Sequence, residues 1–174
     1  MKNLFLIGYR GTGKTVLGRG VAIKLGREFV DTDTLIVDFA GKSIPKIFEE
    51  DGEEKFREWE TKALQKVSEK EDCIISCGGG IITQERNFPL LATGVVCLLT
   101  AGAKIIYDRI YKDENRPALT DKDPMEEITH LLEVRGPLYQ KAKNFEVNTS
   151  INGHHDCVKE IIAKYNEKIK WLRE

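Results

Sequence analysis

The fold is decided by the stretch Gly8-Tyr9-Arg10-Gly11-Thr12-Gly13-Lys14-Thr15, which matches the complete phosphate-loop pattern G-x-x-x-x-G-K-[ST]. A short apolar run at 4–7 precedes it and a helical pattern at 16–25 follows, which is the strand–loop–helix setting that the pattern requires. Glycines permit a tight turn that brings backbone N–H groups close to a phosphate, and the following helix points its positive end at the same anion. The stretch therefore predicts a nucleotide site, with Lys14 as a mobile positive charge and the Thr15 hydroxyl as a ligand for Mg²⁺.

Short apolar segments alternate with helical patterns along the rest of the chain, which predicts a parallel sheet with right-handed crossovers. The predicted strands lie near residues 3–8, 29–33, 73–77, 95–99 and 145–147. The predicted helices after the first lie near 34–40, 52–70, 83–92, 103–111, 125–143 (ending or kinking at Gly136-Pro137) and 158–172, with a short helix after Ser43 that has Pro45 in its first turn. We expect Asp33 or Thr34 and then Ser43 to cap the second and third helices. Residues 1–174 are thus predicted to form one α/β domain.

The composition excludes several classes of protein. Hydrophobic residues make up 41% of the chain, charged residues 32%, and the net charge is −1, so no global basic field favours nucleic acid or a membrane surface. No apolar run approaches the roughly 20 residues of a transmembrane helix, and the first strand leaves no room for a targeting peptide. We therefore expect a cytoplasmic protein. Cys73 and Cys77 lack a second pair and a nearby histidine, which favours buried thiols over a zinc site.

Polar groups follow the second and third predicted strands. Asp31 and Asp33 flank one threonine, and on a strand their carboxylates would point to the same face, where they could organise Mg²⁺ and meet an acceptor hydroxyl. The alternative is a strand end with a helix cap. Gly78-Gly79-Gly80 offers bare backbone N–H groups to a small polar ligand, or is simply a flexible turn. Since ligands bind beyond the carboxyl ends of parallel strands, we expect these groups and the phosphate loop to form one site.

Two further features bear on this site. Arg57 and Glu60 are three residues apart on a predicted helix, and taken alone they indicate a solvated ion pair that contributes little to stability. The stretch 112–124 is polar, contains Arg116 and two prolines, and has no hydrophobic period. So long an irregular segment predicts a lid, with a disordered surface loop as the alternative.

A phosphate loop alone does not identify an activity, because switches, motors and small-molecule kinases all contain one. The guanine-reading N-K-x-D pattern is absent, and the D-x-x-G match at Asp38 falls on a predicted helix end. No long hydrophobic strand ends in Asp-Glu, as in many ATP-driven machines. The chain is therefore predicted to be a small kinase. A regulatory P-loop protein without catalysis is the alternative from another class, and the retained polar residues argue against it: Lys14, Thr15, Asp31, Asp33 and Arg116.

The chain resembles the shikimate kinase family along almost its whole length. Six motifs carry the resemblance in the family's order: the phosphate loop, Asp31-Thr32-Asp33, Phe56-Arg57-Glu58-Trp59-Glu60, Gly78-Gly79-Gly80, Arg116-Pro117-Ala118-Leu119 and Arg135-Gly136-Pro137-Leu138-Tyr139. The resemblance implies ATP- and Mg²⁺-dependent phosphorylation of the 3-hydroxyl of shikimate, a step toward chorismate and the aromatic amino acids. A kinase of another polyol acid, such as gluconate, is the alternative.

The resemblance also implies a three-layer α/β/α fold like that of nucleoside monophosphate kinases. Its five strands would follow the order 2-3-1-4-5, with a substrate-binding helical region at about 33–61 and a mobile lid at about 112–124. We expect a monomer whose partner is a small-molecule substrate, although the sequence itself does not determine the oligomeric state.

For the acceptor side, the resemblance implies that Asp33 binds the ring hydroxyls and orients or deprotonates the acceptor. Arg57 and Arg135 would bind the shikimate carboxylate, with Glu60 orienting Arg57. The backbone of Gly78-Gly79-Gly80 would complete the substrate site.

For the nucleotide side, the resemblance implies that Lys14 and Arg116 stabilise charge on the transferring phosphoryl group. Asp31 would hold Mg²⁺ alongside Thr15. The expected ATP contacts are Gly11, Thr12, Gly13, Lys14, Thr15, Val16, Arg109, Arg116 and Asn152. The loop 149–153, expected near the adenine, lacks the arginine that many relatives place there.

Overall fold

The computed structural model describes residues 1–110 and 123–171, and within these residues five parallel strands form one sheet. The strands are β1 (Leu4–Ile7), β2 (Glu28–Asp31), β3 (Cys73–Ser76), β4 (Val95–Thr100) and β5 (Phe145–Asn148). Their order across the sheet is β2-β3-β1-β4-β5, which confirms the order that the family resemblance implied.

Helices cover both faces of this sheet. They are α1 (Lys14–Leu25), α2 (Thr32–Ala40), α3 (Ile44–Ser68), α4 (Phe88–Leu91), α5 (Ala103–Ile110), α6 (Pro124–Ala142) and α7 (His154–Trp171). Leu4 and Leu6 of β1 pack with α1 and α7, whereas Phe5 and Ile7 pack with α3 and α6. Because both faces of β1 are covered, all four of its residues are apolar, as is usual for buried parallel strands. The three-layer α/β/α class is confirmed.

The prediction of one continuous helix at 83–92 is wrong. The structure has two short 3₁₀ turns, Ile81–Thr83 and Glu85–Asn87, before the four-residue α4. The fully buried Asn87 donates its side-chain amide to the Ile81 carbonyl at 2.8 Å, which holds the chain in these tight turns. Pro89 lacks an N–H and fits only the first turn of a helix, so a regular helix begins just before it.

Three helix boundaries differ from the expectation in detail. The short helix predicted after Ser43 and the helix predicted at 52–70 together form α3, and Gly52 (φ 82°, ψ 172°) breaks the helical backbone between them. Ser43 occupies the N-cap position of α3, as expected, but its side chain makes no capping hydrogen bond. Helix α6 continues past Pro137 to Ala142, so it resumes rather than ends at this proline.

All four cysteines are buried free thiols, which agrees with the prediction for Cys73 and Cys77. Among the described residues no group of three or more His, Cys, Asp or Glu side chains is arranged to hold a metal ion. None of the helices within 1–110 and 123–171 is long and apolar enough to cross a bilayer.

Asn3, just before β1, links three elements at the end of the sheet opposite the phosphate loop. Its buried side-chain amide donates to the carbonyls of Lys70 at 2.8 Å and Val67 at 3.3 Å, and its side-chain oxygen accepts from the Cys73 backbone N–H at 2.9 Å. These bonds attach the end of α3 and the start of β3 to β1. They therefore set where β3 enters the sheet.

We expect Asn3→Ala to lower the free energy of unfolding by about 2–4 kcal/mol, because buried backbone groups left without a partner cost about 1–3 kcal/mol each. Gln140→Ala removes an exposed amide from α6 and is the matched control, with an expected change within about 0.5 kcal/mol. Urea unfolding followed by circular dichroism measures both. Equal stabilities of the two variants would contradict the role given to Asn3.

Candidate active site

The carboxyl ends of β1, β2 and β3 meet at one edge of the sheet. Asp31 of β2 pairs in register with Ser76 of β3, and Ser76 in turn pairs with Leu6 of β1. A cavity of about 420 Å³ opens at this edge. Its lining includes the phosphate loop, the end of β3 and residues from the end of β5 and the start of α7. The prediction that the separate motifs form one site therefore agrees with this arrangement.

The phosphate loop closes tightly on itself. Gly8 has φ 140°, and a Cβ on this residue would lie 2.3 Å from the Leu99 carbonyl oxygen, so only glycine fits. The buried Lys14 donates its ammonium to the carbonyls of Gly8 at 2.8 Å and Tyr9 at 2.9 Å. The Thr12 hydroxyl donates to the same Tyr9 carbonyl at 2.8 Å. Lys14 thus stabilises the shape of the loop whose phosphate it was predicted to contact.

Oxygen ligands cluster beside the loop. The Thr15 hydroxyl donates to the Asp31 carboxylate at 2.9 Å, and the Ser76 hydroxyl lies 3.4 Å from that of Thr15. Magnesium prefers carboxylate, hydroxyl and water oxygens, so this set fits the metal. Ser76 was not identified from the sequence; the available signal was a polar residue at the end of an otherwise apolar buried strand, next to the glycines.

The expectation that Asp31 and Asp33 both lie on a strand is wrong. β2 ends at Asp31, and Asp33 is in the first turn of α2. Asp31, rather than Asp33 or Thr34, is the N-cap, because its carboxylate accepts the Asp33 backbone N–H at 3.0 Å. The Asp33 carboxylate instead faces the glycine turn, with Oδ1 at 2.9 Å from the position that a Cβ on Gly78 would take. The alternative of a strand end with a helix cap thus applies to Asp31.

Arg57 and Glu60 form a buried ion pair, so the interpretation as a solvated pair is wrong. The two residues are only 7% and 1% exposed. Arg57 also donates to the Glu53 carboxylate, which is largely exposed, at 2.7 Å. A Cβ on Gly80 would lie 1.8 Å from the Arg57 Nη1. The helix face that carries the pair packs against the glycine turn, which sequence spacing alone could not reveal.

The Glu60 carboxyl is in an unusual electrostatic environment. Burial raises its pKa to about 7, against the opposing effect of the Arg57 guanidinium. Its Oε2 accepts from Arg57, while its Oε1 has no hydrogen-bond partner among the described residues and lies 2.6 Å from the position of a Cβ on Gly78. Glu60 and Asp33 therefore approach Gly78 together.

Helix α6 brings Arg135 and Tyr139 to the same region. Arg135 is 9% exposed, and its positive charge acts on the Glu60 carboxyl and on the Tyr139 hydroxyl. Tyr139 donates its hydroxyl to the Gly79 carbonyl, and burial raises its pKa. Tyr139 belongs to a recognised motif, but no role for it was predicted from the sequence. The structure shows that it attaches α6 to the glycine turn.

At the other end of the cavity, Arg109 of α5 donates to the Gly11 carbonyl at 3.2 Å and to the Thr149 carbonyl at 2.8 Å. Val16 lines the cavity here, as do Thr149 and Asn152 of the loop expected near the adenine. Two further lining residues, His154 and Cys157, were not identified from the sequence. No motif marks these two, which lie at the start of α7, the helix that packs against α1. The expected lid and Arg116 lie outside the described residues, apart from Asp123 and Pro124.

Comparisons with known proteins show which family the chain is similar to. The family model described as shikimate kinase matches residues 10–166. The shikimate kinase of Caldicellulosiruptor bescii is 43% identical over 152 residues, which are 87% of this chain and 88% of that protein. The solved structure of a shikimate kinase from Acinetobacter baumannii in complex with shikimate is 36% identical, with a TM-score of 0.88 over 93% of this chain and 91% of that one.

A gluconokinase from Sinorhizobium meliloti has a TM-score of 0.63 over 99% of this chain and 95% of that one, but it is only 15% identical. That likeness shows a shared fold alone and does not favour gluconate as the acceptor. The family model and the identity to curated relatives decide the question: the chain belongs to the shikimate kinase family.

Proposed function

We propose that this chain transfers the γ-phosphoryl group of ATP to the 3-hydroxyl of shikimate and so forms shikimate 3-phosphate. One observation carries the proposal. A complete phosphate loop lies at the same sheet edge as Asp33 and the buried pair of Arg57 and Glu60, which surround one glycine turn. A small acidic acceptor held at that turn would be adjacent to a bound nucleotide phosphate.

The substrate carboxylate is assigned to Arg57 and Arg135. Both guanidinium groups are largely buried, they come from different helices, and both act on the Glu60 carboxyl, so they converge on one place. A guanidinium can give two parallel hydrogen bonds to a planar carboxylate, which a lysine ammonium cannot do. Glu60 fixes Arg57 in position, and the lack of a side chain on Gly80 leaves room for the Arg57 guanidinium at the turn.

The acceptor hydroxyl is assigned to Asp33. This residue lies in the first turn of α2, and its carboxylate faces the glycine turn. A carboxylate in hydrogen-bond reach of a hydroxyl can orient it and accept its proton as the phosphoryl group is transferred. The approach of Asp33 to Gly78 supports its place between the substrate turn and the phosphate loop.

The phosphoryl side uses the phosphate loop and its oxygen cluster. Backbone N–H groups of Gly11, Thr12 and Gly13 would bind phosphate oxygens, and Lys14 would add positive charge. Thr15, Asp31 and the neighbouring Ser76 would hold Mg²⁺, which neutralises phosphate charge when bound.

The remaining nucleotide contacts are proposed from their place around the cavity. Val16, Arg109 and Asn152 lie at its far end, where the adenosine part of ATP would fit. Arg116 is proposed to approach the transferring phosphoryl group, on the resemblance alone, since it lies outside the described residues. A single domain, a monomeric state and a cytoplasmic location are likewise proposed.

The experiment that tests the proposal is a coupled assay of ADP release with Mg²⁺, ATP and shikimate, run beside gluconate and nucleoside monophosphates. Turnover with shikimate alone is the expected result. Chelation of Mg²⁺ with EDTA should abolish it. Turnover with gluconate and none with shikimate would refute the assignment.

We expect Asp33→Asn to reduce kcat by about 10²–10⁴-fold, the usual contribution of a positioned general base or orienting group. Steady-state kinetics and nucleotide titration measure the effect, and ATP affinity should persist because Asp33 lies on the acceptor side. Asp38→Asn, an exposed change on the same helix, should leave both quantities unaltered. Near-normal turnover of Asp33→Asn would remove this residue from the reaction.

We expect Arg57→Lys and Arg135→Lys each to raise the shikimate KM roughly ten- to a hundredfold, since a hydrogen bond to a charged group contributes about 1.5–3 kcal/mol. The ATP KM should change much less. Arg19→Lys on the exposed side of α1 is the control and should match the wild type.

Because both arginines are assigned to one carboxylate, the double variant should show a coupling of about 0.5–3 kcal/mol. Strictly additive losses, or a shikimate KM that tolerates either lysine, would place the carboxylate elsewhere.

A further inference from the structure

The Glu60 carboxyl is almost completely buried. It is 1% exposed, and one of its two oxygens accepts no hydrogen bond from the described residues. That oxygen approaches Gly78 on the side where Asp33 also lies. A buried carboxylate with one unsatisfied oxygen, next to another carboxylate, is costly to keep ionised.

Within the described part of the chain, the ionisable groups that face Glu60 come from the elements packed around it. Helix α3 contributes Arg57 and, through it, Glu53; α2 contributes Asp33, and α6 contributes Arg135 and Tyr139. Cys77, just after β3, completes the set. Burial raises the pKa of the Cys77 thiol and of the Tyr139 hydroxyl, so both stay protonated near neutral pH and do not exchange a proton there.

The charge balance of this cluster changes when an acidic acceptor binds. Before binding, three charged groups act on the Glu60 carboxyl: Arg57 and Arg135 favour its ionised form, and the Asp33 carboxylate opposes it. A substrate carboxylate placed against the two arginines adds a third negative charge to a buried cluster. Like charges at short range favour protonation of the group that is hardest to solvate, and that group is Glu60.

We propose that shikimate binding drives proton uptake from solvent by Glu60, so that the substrate carboxylate replaces Glu60 as the anionic partner of Arg57. The proposal rests on the proposed function, because it assigns the carboxylate of shikimate to Arg57 and Arg135. Glu60 is then a positioning residue in the free enzyme and a proton acceptor in the complex. The site therefore selects an acidic ligand, because only an anion favours protonation of Glu60.

The sign of the pH dependence follows from the direction of proton flow. A complex that binds more protons than its free components weakens as pH rises. With a Glu60 pKa of about 7 in the free enzyme, a rise of one unit on binding would take up roughly half a proton at pH 7.5. The same rise would weaken shikimate binding roughly tenfold between pH 6 and pH 9.

The test is isothermal titration calorimetry of the full chain with shikimate at pH 7.5, in buffers that differ in ionisation enthalpy. The slope of the observed enthalpy against the buffer ionisation enthalpy gives the number of protons taken up. We expect uptake of roughly half a proton with shikimate. A shikimate analogue with its carboxylate reduced to a primary alcohol should bind more weakly and take up none.

Two variants locate the proton. Glu60→Gln keeps the shape of the side chain but cannot titrate, and its residual shikimate binding should show no dependence on buffer. Glu53→Gln removes the exposed carboxylate that also contacts Arg57, and it should keep the uptake.

The outcomes separate this inference from the proposed function. Absence of shikimate binding by the wild type refutes the proposed function itself. Binding with no buffer dependence, equal uptake with the neutral analogue, or uptake that persists in Glu60→Gln overturns the proton acceptor and leaves the kinase assignment standing. If Glu60→Gln does not fold, the wild-type comparison of shikimate with its alcohol analogue still decides the proposal.

Discussion

The parallel pairing of β3 with both β1 and β2 is the constraint on which the site depends. It brings the phosphate loop after β1, the Asp31 cap after β2 and the glycine turn after β3 to one edge of the sheet. These segments are far apart in the chain, and no local interaction would bring them together. Asn3 holds the opposite end of the same strands, so the register is fixed away from the groups that react.

At this edge of the sheet, the charged side chains lie close to the glycine turn because the glycines have no side chains. Without side chains on Gly78 and Gly80, the carboxylates of Asp33 and Glu60 and the guanidinium of Arg57 can approach the turn closely. A buried ion pair contributes little net stability, because desolvation of both partners offsets their attraction. The pair is therefore better explained by its effect on Arg57. Glu60 holds the desolvated guanidinium in position, where a substrate carboxylate can replace Glu60 as its partner.

Motifs that require a particular backbone conformation could be recognised from the sequence. The phosphate loop and the alternation of strands and helices predicted the α/β class, and the resemblance supplied the strand order. Positions set by tertiary packing could not be predicted. The burial of Arg57 and Glu60 depends on the contact between α3 and the glycine turn. Sequence spacing predicts a strand position for Asp33, because spacing does not show that Asp31 ends β2 and caps α2. Ser76 and Tyr139 acquire roles only through neighbours from other elements.

The central claim is that one glycine turn holds an acidic acceptor between two arginines and Asp33, beside the phosphate loop. A crystal structure of the chain with shikimate and ADP tests it most directly. We expect the shikimate carboxylate within hydrogen-bond distance of Arg57 and Arg135, and the 3-hydroxyl within hydrogen-bond distance of Asp33 and directed at the phosphate loop. A carboxylate bound elsewhere, or a 3-hydroxyl turned away from the loop, would contradict the claim.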